Sequence, residues 1–253
     1  MKSLMLAAGV GRRLFGEDNN ELPKALLQFG GKTLLQRNIE ILNSLGINEL
    51  VLVVGHRKEE LIEEALKFAP DGFIRWVFNP LFAKSPMYSL WMARDILREG
   101  GDILFMDADV LYQATLLEKL LNSNHTNCFT FDRNFEDGDD PVKICIRGGC
   151  PVDFGKTISS SCDIIGEWPG FMRMSNAISS KIATRAEQYI GMESVTATYE
   201  EAFRDILKAE PAGSFGFVDV TGIPWIEIDF PEDLIQANDV ILPKILSFED
   251  TGN

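Results

Sequence analysis

The first stretch with chemical potential is a loop rich in glycine and arginine that follows an apolar run. It reads Leu6-Ala7-Ala8-Gly9-Val10-Gly11-Arg12-Arg13-Leu14. Glycines after a strand let backbone N–H groups approach a phosphate closely, and an arginine supplies a planar cationic fork. Lys24 follows beside the rigid Pro23 and adds a second cation. The pattern predicts a loop that binds phosphate groups.

Two well-known phosphate loops do not fit this stretch. No Gly-Lys-Ser/Thr follows the glycines, which excludes a Walker A loop. Leu14 stands where a dinucleotide fingerprint needs its third glycine, which disfavours a dinucleotide-dependent oxidoreductase. That oxidoreductase stays an alternative, and an NAD titration would test it.

Two pairs of acidic residues come at the ends of apolar runs. Asp107 and Asp109 form the first pair, and Glu227 and Asp229 form the second. Hard divalent cations such as Mg²⁺ bind one or two carboxylates together with substrate phosphate oxygens. The alternative is structural, because such residues also form Asx turns and cap helices. The pairs support each other as a metal site only if the sheet brings them together.

The elements that must position these residues follow from the hydrophobic pattern of the first half of the chain. Apolar runs predict strands and 3.6-residue periodicity predicts helices in alternation. Such β-α-β units form a parallel sheet with helices on both faces, and ligands bind beyond the carboxyl ends of its strands. The predicted strands are residues 4–8, 50–54, 73–78 and 103–106, and the helices are residues 33–45, 59–68, 89–98 and 114–121.

The pattern changes near residue 126, where short extended segments predict an antiparallel excursion. The fold class is α/β, with a single mixed, mostly parallel, Rossmann-like sheet flanked by helices and an inserted β-rich acceptor region. One domain spans 1–253, divided into a nucleotide-binding part at 1–125, an acceptor-binding part at 126–230 and a closing helix at 231–253. Further strands are predicted at residues 128–131, 142–146, 152–154, 156–158, 215–220 and 225–228, and helices at residues 177–189 and 199–209.

The charge balance restricts the class of ligand. The chain has 24 Lys+Arg against 38 Asp+Glu, a net charge of −14. Such a surface repels nucleic acid and anionic lipid, so binding to either by bulk charge is excluded. No apolar run has the length of a membrane span, and we expect a cytoplasmic protein. An anionic substrate must therefore be held locally, by a few basic groups or a metal.

The cysteines and histidines predict no metal or redox chemistry. Cys128, Cys145, Cys150 and Cys162 include no C-x-x-C pair, and we expect reduced thiols. Only His56 and His125 could join them in a zinc site. We expect His56 to be an ordinary loop residue and His125 to be exposed.

Taken together, the motifs at 6–14, Pro23-Lys24, Asp107-x-Asp109 and Glu227-x-Asp229 resemble the nucleotidyltransferases that make nucleoside-diphosphate sugars and alcohols. Within them, the chain most resembles the CTP:phosphocholine and phosphonate cytidylyltransferases. The resemblance implies a GT-A type fold that uses Mg²⁺. Arg13 would hold the β- and γ-phosphates and Lys24 the triphosphate near the reacting phosphorus. Asp109 and Asp229 would bind the metal, with Asp107 a weaker candidate ligand.

The sequence also offers candidate residues for each substrate, although the chain departs from the family at Ser85-Pro86-Met87. Lys156 would meet an acceptor phosphate and Glu167 an acceptor amine or hydroxyl. Trp168, with Phe171 and Trp225, could surround a quaternary ammonium. The residues expected at the nucleotide are Leu6, Ala7, Ala8, Gly9, Gly11, Arg13, Lys24, Ser85 and Asp107.

The function that follows is transfer of CMP from CTP to a small phosphorylated alcohol, amino acid or phosphonate, with release of pyrophosphate. A phosphate monoester is largely dianionic near neutral pH, its second pKa being about 6, so the attack needs no general base. One alternative is a sugar-1-phosphate nucleotidyltransferase using UTP, dTTP or GTP. Another is a non-catalytic nucleotide-sensing domain. A homodimer is compatible with the sequence.

Overall fold

The architecture is taken from a computed structural model that describes residues 1–16, 21–135, 138, 140–192 and 196–251, with side chains as far as residue 247. The strands are β1 (Lys2–Ala7), β2 (Gln28–Phe29), β3 (Lys32–Thr33), β4 (Glu49–Val54), β5 (Ile74–Phe78), β6 (Ile103–Asp107), β7 (Val110–Tyr112), β8 (Cys128–Phe131), β9 (Lys143–Arg147), β10 (Cys150–Gly155), β11 (Ile164–Glu167), β12 (Phe171–Met174), β13 (Gly216–Asp219) and β14 (Trp225–Glu227).

Helices of one to four turns connect these strands. They are α1 (Arg12–Phe15), α2 (Leu34–Ser44), α3 (Lys58–Phe68), α4 (Pro86–Met92), α5 (Arg94–Arg98), α6 (Thr115–Leu121), α7 (Asn176–Ile190), α8 (Tyr199–Ala209), α9 (Pro231–Gln236) and α10 (Leu242–Thr251), with a 3₁₀ turn at Lys24–Leu26 and a π-helical turn at Ala237–Ile241.

The main sheet is mixed and mostly parallel. Over the described residues it has seven strands in the order β13-β8-β12-β6-β1-β4-β5. Only β12 runs antiparallel to its neighbours in this sheet, β6 and β8. The other pairs are parallel, and β1 lies between β4 and β6. The predicted fold class is therefore confirmed.

Helices cover both faces of the sheet, as the alternation of elements predicts. The central strands β4 and β6 are buried along most of their length, which is typical of parallel strands covered on both sides. Successive side chains point to opposite faces, so Leu4 belongs to the core on the side of α4, α7 and α8. Met5 belongs to the core on the side of α2, α3 and α6.

Some predicted elements differ from the observed ones. Residues 156–158 do not form a strand, and the third strand of the small antiparallel sheet β10-β9-β11 is Ile164–Glu167 instead. The predicted helix 89–98 begins earlier, at Pro86, and is divided at Ala93 into α4 and α5. Strand β12 was not predicted, because its residues carry no alternation of apolar and polar side chains.

The prediction of four reduced cysteines is wrong for two of them. Cys145 and Cys162 form a disulfide, with their Cα atoms 5.4 Å apart. Strand β11 pairs antiparallel with β9, and Ile165 lies opposite Cys145 in this pairing. The pairing brings the segment just before β11, which contains Cys162, close to Cys145. Within the described residues, Cys128 and Cys150 carry free thiols. None of the described helices has both the length and the apolar character needed to cross a membrane.

Candidate active site

The glycine loop after β1 forms one wall of a cavity of about 260 Å³. Gly11 has a φ of 67°, in the left-handed region that favours glycine, and a Cβ there would lie 3.0 Å from the Phe15 ring. Its carbonyl accepts hydrogen bonds from the N–H groups of Leu14 and Phe15, which starts helix α1. The cavity is lined by Leu6, Ala7, Ala8, Gly9, Gly11, Arg13, Pro23, Lys24, Ala25, Phe82, Pro86, Ser89, Asp107, Ala108, Asp109, Tyr199, Glu200 and Glu227.

Three carboxylates from distant parts of the sequence meet at the edge of this cavity. One oxygen each of Asp109, Glu227 and Asp229 lies within 4.8 Å of the others. Strand pairing brings them together, because β7 and β14 are antiparallel with Val110 opposite Glu227. The N–H of Ile228 extends the pairing by donating to the carbonyl of Asp109 over 2.9 Å. The two acidic pairs seen in the sequence thus form one site.

Lys24 places its ammonium between two of these carboxylates. Its Nζ is 3.0 Å from Asp109 Oδ2 and 2.5 Å from Asp229 Oδ1. Burial alone lowers the pKa of Lys24, but the charges of Asp109 and Asp229 outweigh it and the pKa is raised. Arg13 binds the other oxygen of Asp229 over 2.8 Å and Asp140 over 2.6 Å. Two cations expected at phosphates are therefore held by carboxylates in this structure.

The three carboxylates suit a divalent cation. Burial, together with the charges of Asp109 and Asp229, raises the pKa of Glu227. Burial also raises the pKa of Asp229, against the opposing charge of Lys24. Carboxylates that repel one another are stabilised by a bound cation, and oxygen ligands are those that hard cations prefer. The residues present fit a hard divalent ion.

Asp107 is not one of the three clustered carboxylates, and its expected role as a weaker metal ligand stays a prediction. It is buried, and both of its carboxylate oxygens accept hydrogen bonds from the Tyr199 hydroxyl, at 2.7 and 2.8 Å. Burial and the neighbouring charge of Asp109 raise its pKa well above the ordinary value. Glu227 completes the group instead. Its place in the Glu227-x-Asp229 motif was the signal in the sequence that pointed to it.

The other residues expected at the nucleotide divide into two groups. The loop residues from Leu6 to Gly11 named above line the cavity. Ser85 does not, because its hydroxyl accepts from the N–H of Met87 at the start of α4 and donates to the carbonyl of Ala197. The next turn of α4 lines the cavity through Pro86 and Ser89. Tyr199 and Glu200 also line it, and the sequence marked them only as the start of a helix.

A second cavity of about 770 Å³ adjoins the first, with Glu227 in the walls of both. Glu167 lines it, and burial together with the charges of Asp132 and Asp140 raises the pKa of Glu167 to about 7. Lys156 binds Asp140 over 2.7 Å. The charged residues of its walls are Asp132, Asp140, Glu167, Glu227, Asp229, Asp233 and Lys244.

Trp168 lies in the apolar core and not in this cavity, which corrects its expected role at the acceptor. Its side chain is 3% exposed and packs against Phe154, with the ring centroids 5.2 Å apart. Its Nε1 donates to the carbonyl of Phe171, whose ring is also buried. Neither ring can offer a face to an ammonium. Trp225 does line the cavity, and its Nε1 donates to Asp132 Oδ2 over 2.7 Å.

The two histidines lie outside both cavities. His125 is exposed, as expected. His56 lies in the turn between β4 and α3, as expected of a loop residue, and is buried there, with one of its ring nitrogens 3.1 Å from the carbonyl oxygen of Glu21. This contact explains its place without a chemical role.

The chain is similar to several known proteins. The chain is 26% identical over 246 residues to the CMP-5'-(3-aminopropyl)phosphonate synthase of Streptomyces rubellomurinus, covering 94% of this chain but only 38% of that protein. It is 24% identical over 265 residues to the CTP:phosphoglutamine cytidylyltransferase of Campylobacter jejuni, covering 92% and 98%. The solved CTP:phosphocholine cytidylyltransferase from Streptococcus pneumoniae superposes with a TM-score of 0.72 at 22% identity, over 94% of this chain and 98% of that one.

A protein family is also matched directly. The MobA-like NTP transferase domain matches residues 3–153, which include the glycine loop, Lys24 and Asp109. This segment covers more than half of the chain. The chain therefore belongs to the family of MobA-like NTP transferase domains.

Proposed function

We propose that the protein transfers CMP from CTP to an oxygen of a small phosphorylated or phosphonate acceptor. The observation that carries the proposal is the contact of Lys24 with Asp109 and Asp229 beside the glycine loop. It places the glycine loop, the Lys24 ammonium and the Asp109 carboxylate in the walls of one cavity, with Asp229 at its edge. The relatives described above are named for CTP or CMP chemistry, which supports cytosine as the base.

In the proposed reaction, an acceptor oxygen forms a bond to the α-phosphorus of CTP. The bond from that phosphorus to the oxygen bridging the α- and β-phosphates breaks, and pyrophosphate leaves with the electron pair. Arg13 and Lys24 exchange their carboxylate partners for phosphate oxygens and stabilise the charge on the leaving group. Because this chemistry consists mainly of positioning and charge stabilisation, it requires no general base among the residues of the site.

We further propose that the metal is Mg²⁺ and that Asp109, Glu227 and Asp229 hold it. When bound there, the ion supplies positive charge to the phosphate oxygens, which neutralises repulsion between the two anionic substrates. These carboxylates would orient the ion. Lys24 would be close enough to bind the triphosphate once its ammonium leaves Asp109 and Asp229. The acidic surface of the protein makes nucleotide binding depend on that positive charge.

The larger cavity is proposed to bind the acceptor. Glu227 lines both cavities. An acceptor in the larger cavity would therefore meet the nucleotide beside the carboxylates of Asp109, Glu227 and Asp229. Lys156 is proposed to bind the acceptor's phosphoryl group, and Glu167 its amine or hydroxyl. The excess of carboxylates in the walls supports an acceptor that carries a positive group as well as an anionic one. Such a wall offers less to a sugar phosphate, which carries no positive group.

A pyrophosphate-release screen tests the proposal. The purified protein with Mg²⁺ is combined with CTP, UTP, GTP or dTTP and with a panel of phosphorylated amines, amino acids, alcohols, phosphonates and sugar 1-phosphates. We expect release with CTP and an amine-bearing acceptor. Release only with sugar 1-phosphates would support the sugar nucleotidyltransferase alternative. Nucleotide binding without release from any pair would refute the proposal in favour of a nucleotide-sensing domain.

Further expectations accompany this proposal. The division of the chain at residues 125 and 230 is proposed to give nucleotide binding mainly to the first part and acceptor binding mainly to the second, although Tyr199, Glu200 and Glu227 of the second part also line the smaller cavity. The cytoplasm is the expected compartment, and a homodimer the expected assembly if one forms. Nucleic acid is not an expected partner because of the net charge of −14.

A further inference from the structure

The start of helix α8 forms part of the smaller cavity, and the function proposed above assigns no role to it. Tyr199 and Glu200 both line the cavity there. The hydrogen bonds from the Tyr199 hydroxyl to Asp107 tie this turn of helix to the carboxyl end of β6. The turn before it is held to α4, since Ser85 donates to the carbonyl of Ala197. Glu200 is therefore supported by rigid elements on two sides.

Glu200 carries a carboxylate that the protein alone leaves partly unsatisfied. Its Oε2 atom is buried and has no hydrogen-bond partner among the residues that the structure describes. Thr198 and the backbone N–H of Glu200 itself hydrogen-bond the carboxylate, while burial raises its pKa. A buried polar atom without a partner costs free energy, so such atoms are rare unless a ligand or a function accounts for them.

The position of Glu200 indicates which ligand supplies the partner. A carboxylate repels phosphates, so it suits the uncharged half of a nucleotide better than the triphosphate. Pro86 and Ser89 line the same cavity, while Lys24 and Arg13 offer the triphosphate its cations there. The N–H and O–H donors of a nucleoside triphosphate belong to its base and its ribose.

We propose that Glu200 accepts a hydrogen bond from the nucleoside half of the bound nucleotide and so contributes to nucleotide selection. The proposal rests on the proposed function only in that the smaller cavity binds a nucleoside triphosphate. The donor is an N–H or O–H group, from either the exocyclic amine of cytosine or a ribose hydroxyl. Glu200 is thus a binding residue, separate from the residues that act on the phosphates.

The test measures nucleotide binding by calorimetry in the presence of Mg²⁺, with CTP, UTP and 2'-deoxy-CTP. The variants are Glu200→Ala and Glu200→Gln, with Glu201→Gln as a matched control on the exposed side of the same turn. We expect Glu200→Ala to weaken CTP binding about 10- to 100-fold, the usual effect of losing a hydrogen bond to a charged group. The control binds CTP as the unmodified protein does.

The three nucleotides identify the donor. If the amine of cytosine is the donor, Glu200→Ala loses affinity for CTP and not for UTP. If a ribose 2'-hydroxyl is the donor, CTP and UTP lose affinity alike, and the variant no longer prefers CTP to 2'-deoxy-CTP. Loss for all three nucleotides assigns the 3'-hydroxyl. Each of these results supports a hydrogen bond from the nucleoside half to Glu200, and the first two also support its part in nucleotide selection.

A stability measurement separates a binding role from a structural one. Glu200→Gln keeps an oxygen for Thr198 and removes the buried charge, so we expect it to unfold at a temperature no lower than that of the unmodified protein. A lower unfolding temperature with unchanged CTP affinity would overturn the proposal, and so would a change confined to the acceptor KM. If the unmodified protein binds CTP without releasing pyrophosphate, the proposed function falls while the Glu200 measurement stands. If it binds no nucleotide, both fall.

Discussion

The ammonium of Lys24 acts as a counter-ion for the carboxylates of Asp109 and Asp229, and replacing Lys24 with methionine tests this arrangement. The side chains of Lys24, Asp229 and Asp109 are only 13%, 9% and 23% exposed. Removing one partner of a buried ion pair typically costs 3–5 kcal/mol, because the remaining charge stays buried. Arg13 still binds Asp229 in the variant, so we expect the lower end, about 3 kcal/mol.

This loss corresponds to a measurable shift in unfolding temperature. For a chain of this size, 1 kcal/mol changes the midpoint by roughly 2–4 °C, so Lys24→Met should unfold about 6–12 °C lower without metal. Adding Mg²⁺ without nucleotide should restore much of that loss, since the ion takes the place of the ammonium. The unmodified protein should gain less from Mg²⁺, because Lys24 competes with the ion for Asp109 and Asp229.

The assay is thermal unfolding with and without Mg²⁺, with Lys32→Met as the control. Lys32 pairs with Glu40 at the surface, its side chain 46% exposed, and such pairs contribute about 0–1 kcal/mol. The reasoning would be refuted if Lys24→Met were as stable as the unmodified protein without metal. It would also fail if Mg²⁺ stabilised both proteins equally, because Lys24 would then not compete with the ion.

Three further predictions concern the site and the acceptor-side sheet. Asp109→Asn should lower the rate of pyrophosphate release by at least about 100-fold with little change in the far-UV circular dichroism, since charge stabilisation at such sites is commonly of this size; unchanged release would refute its assignment as a metal ligand. The pKa of Glu167 is raised to about 7, so the folded protein binds the proton of Glu167 more tightly than the unfolded chain does. The protonated carboxyl therefore contributes stability that is fully present below the pKa of the unfolded chain. That stability is lost as the pH rises through 7. Glu167→Gln should flatten the fall in denaturant midpoint between pH 5 and 8, and an unchanged pH profile would contradict the raised pKa. Asp153 is fully buried and binds Arg204 over 2.7 Å. Asp153→Ala should therefore lower the free energy of unfolding, measured by urea titration, by about 3–5 kcal/mol. A loss of less than about 1 kcal/mol would show that water solvates the ion pair.

The residues that act locally could be predicted from the sequence. The glycine loop at 6–14 requires a left-handed residue at Gly11, and this requirement is a property of a short segment. The strands of the parallel sheet are predictable because burial on both faces needs continuous apolar runs, as in β4 and β6. The lysine at 24 and the carboxylates at 109 and 229 follow strand or loop ends, where ligands of such sheets collect.

Contacts between distant segments could not be predicted in the same way. Asp107 and Glu227 both end apolar runs, and the sequence offers no reason to prefer one as the third carboxylate. The antiparallel pairing of β7 with β14 decides it, because this pairing brings Glu227 to Asp109, while Tyr199 from α8 engages Asp107. Trp168 is a similar case, since an aromatic residue has the same sequence pattern in a core as in a cavity wall.

The sequence by itself therefore determined the class of fold, the glycine loop and the cations and carboxylates around it, because periodicity and backbone freedom are local properties. Only the tertiary structure decided that Cys145 meets Cys162, that Trp168 is buried, and that Glu200 lines the smaller cavity. These outcomes depend on the register of strands and the packing of helices far apart in the chain. The distances between such residues depend on how the whole core packs, and no short segment of the sequence encodes that packing.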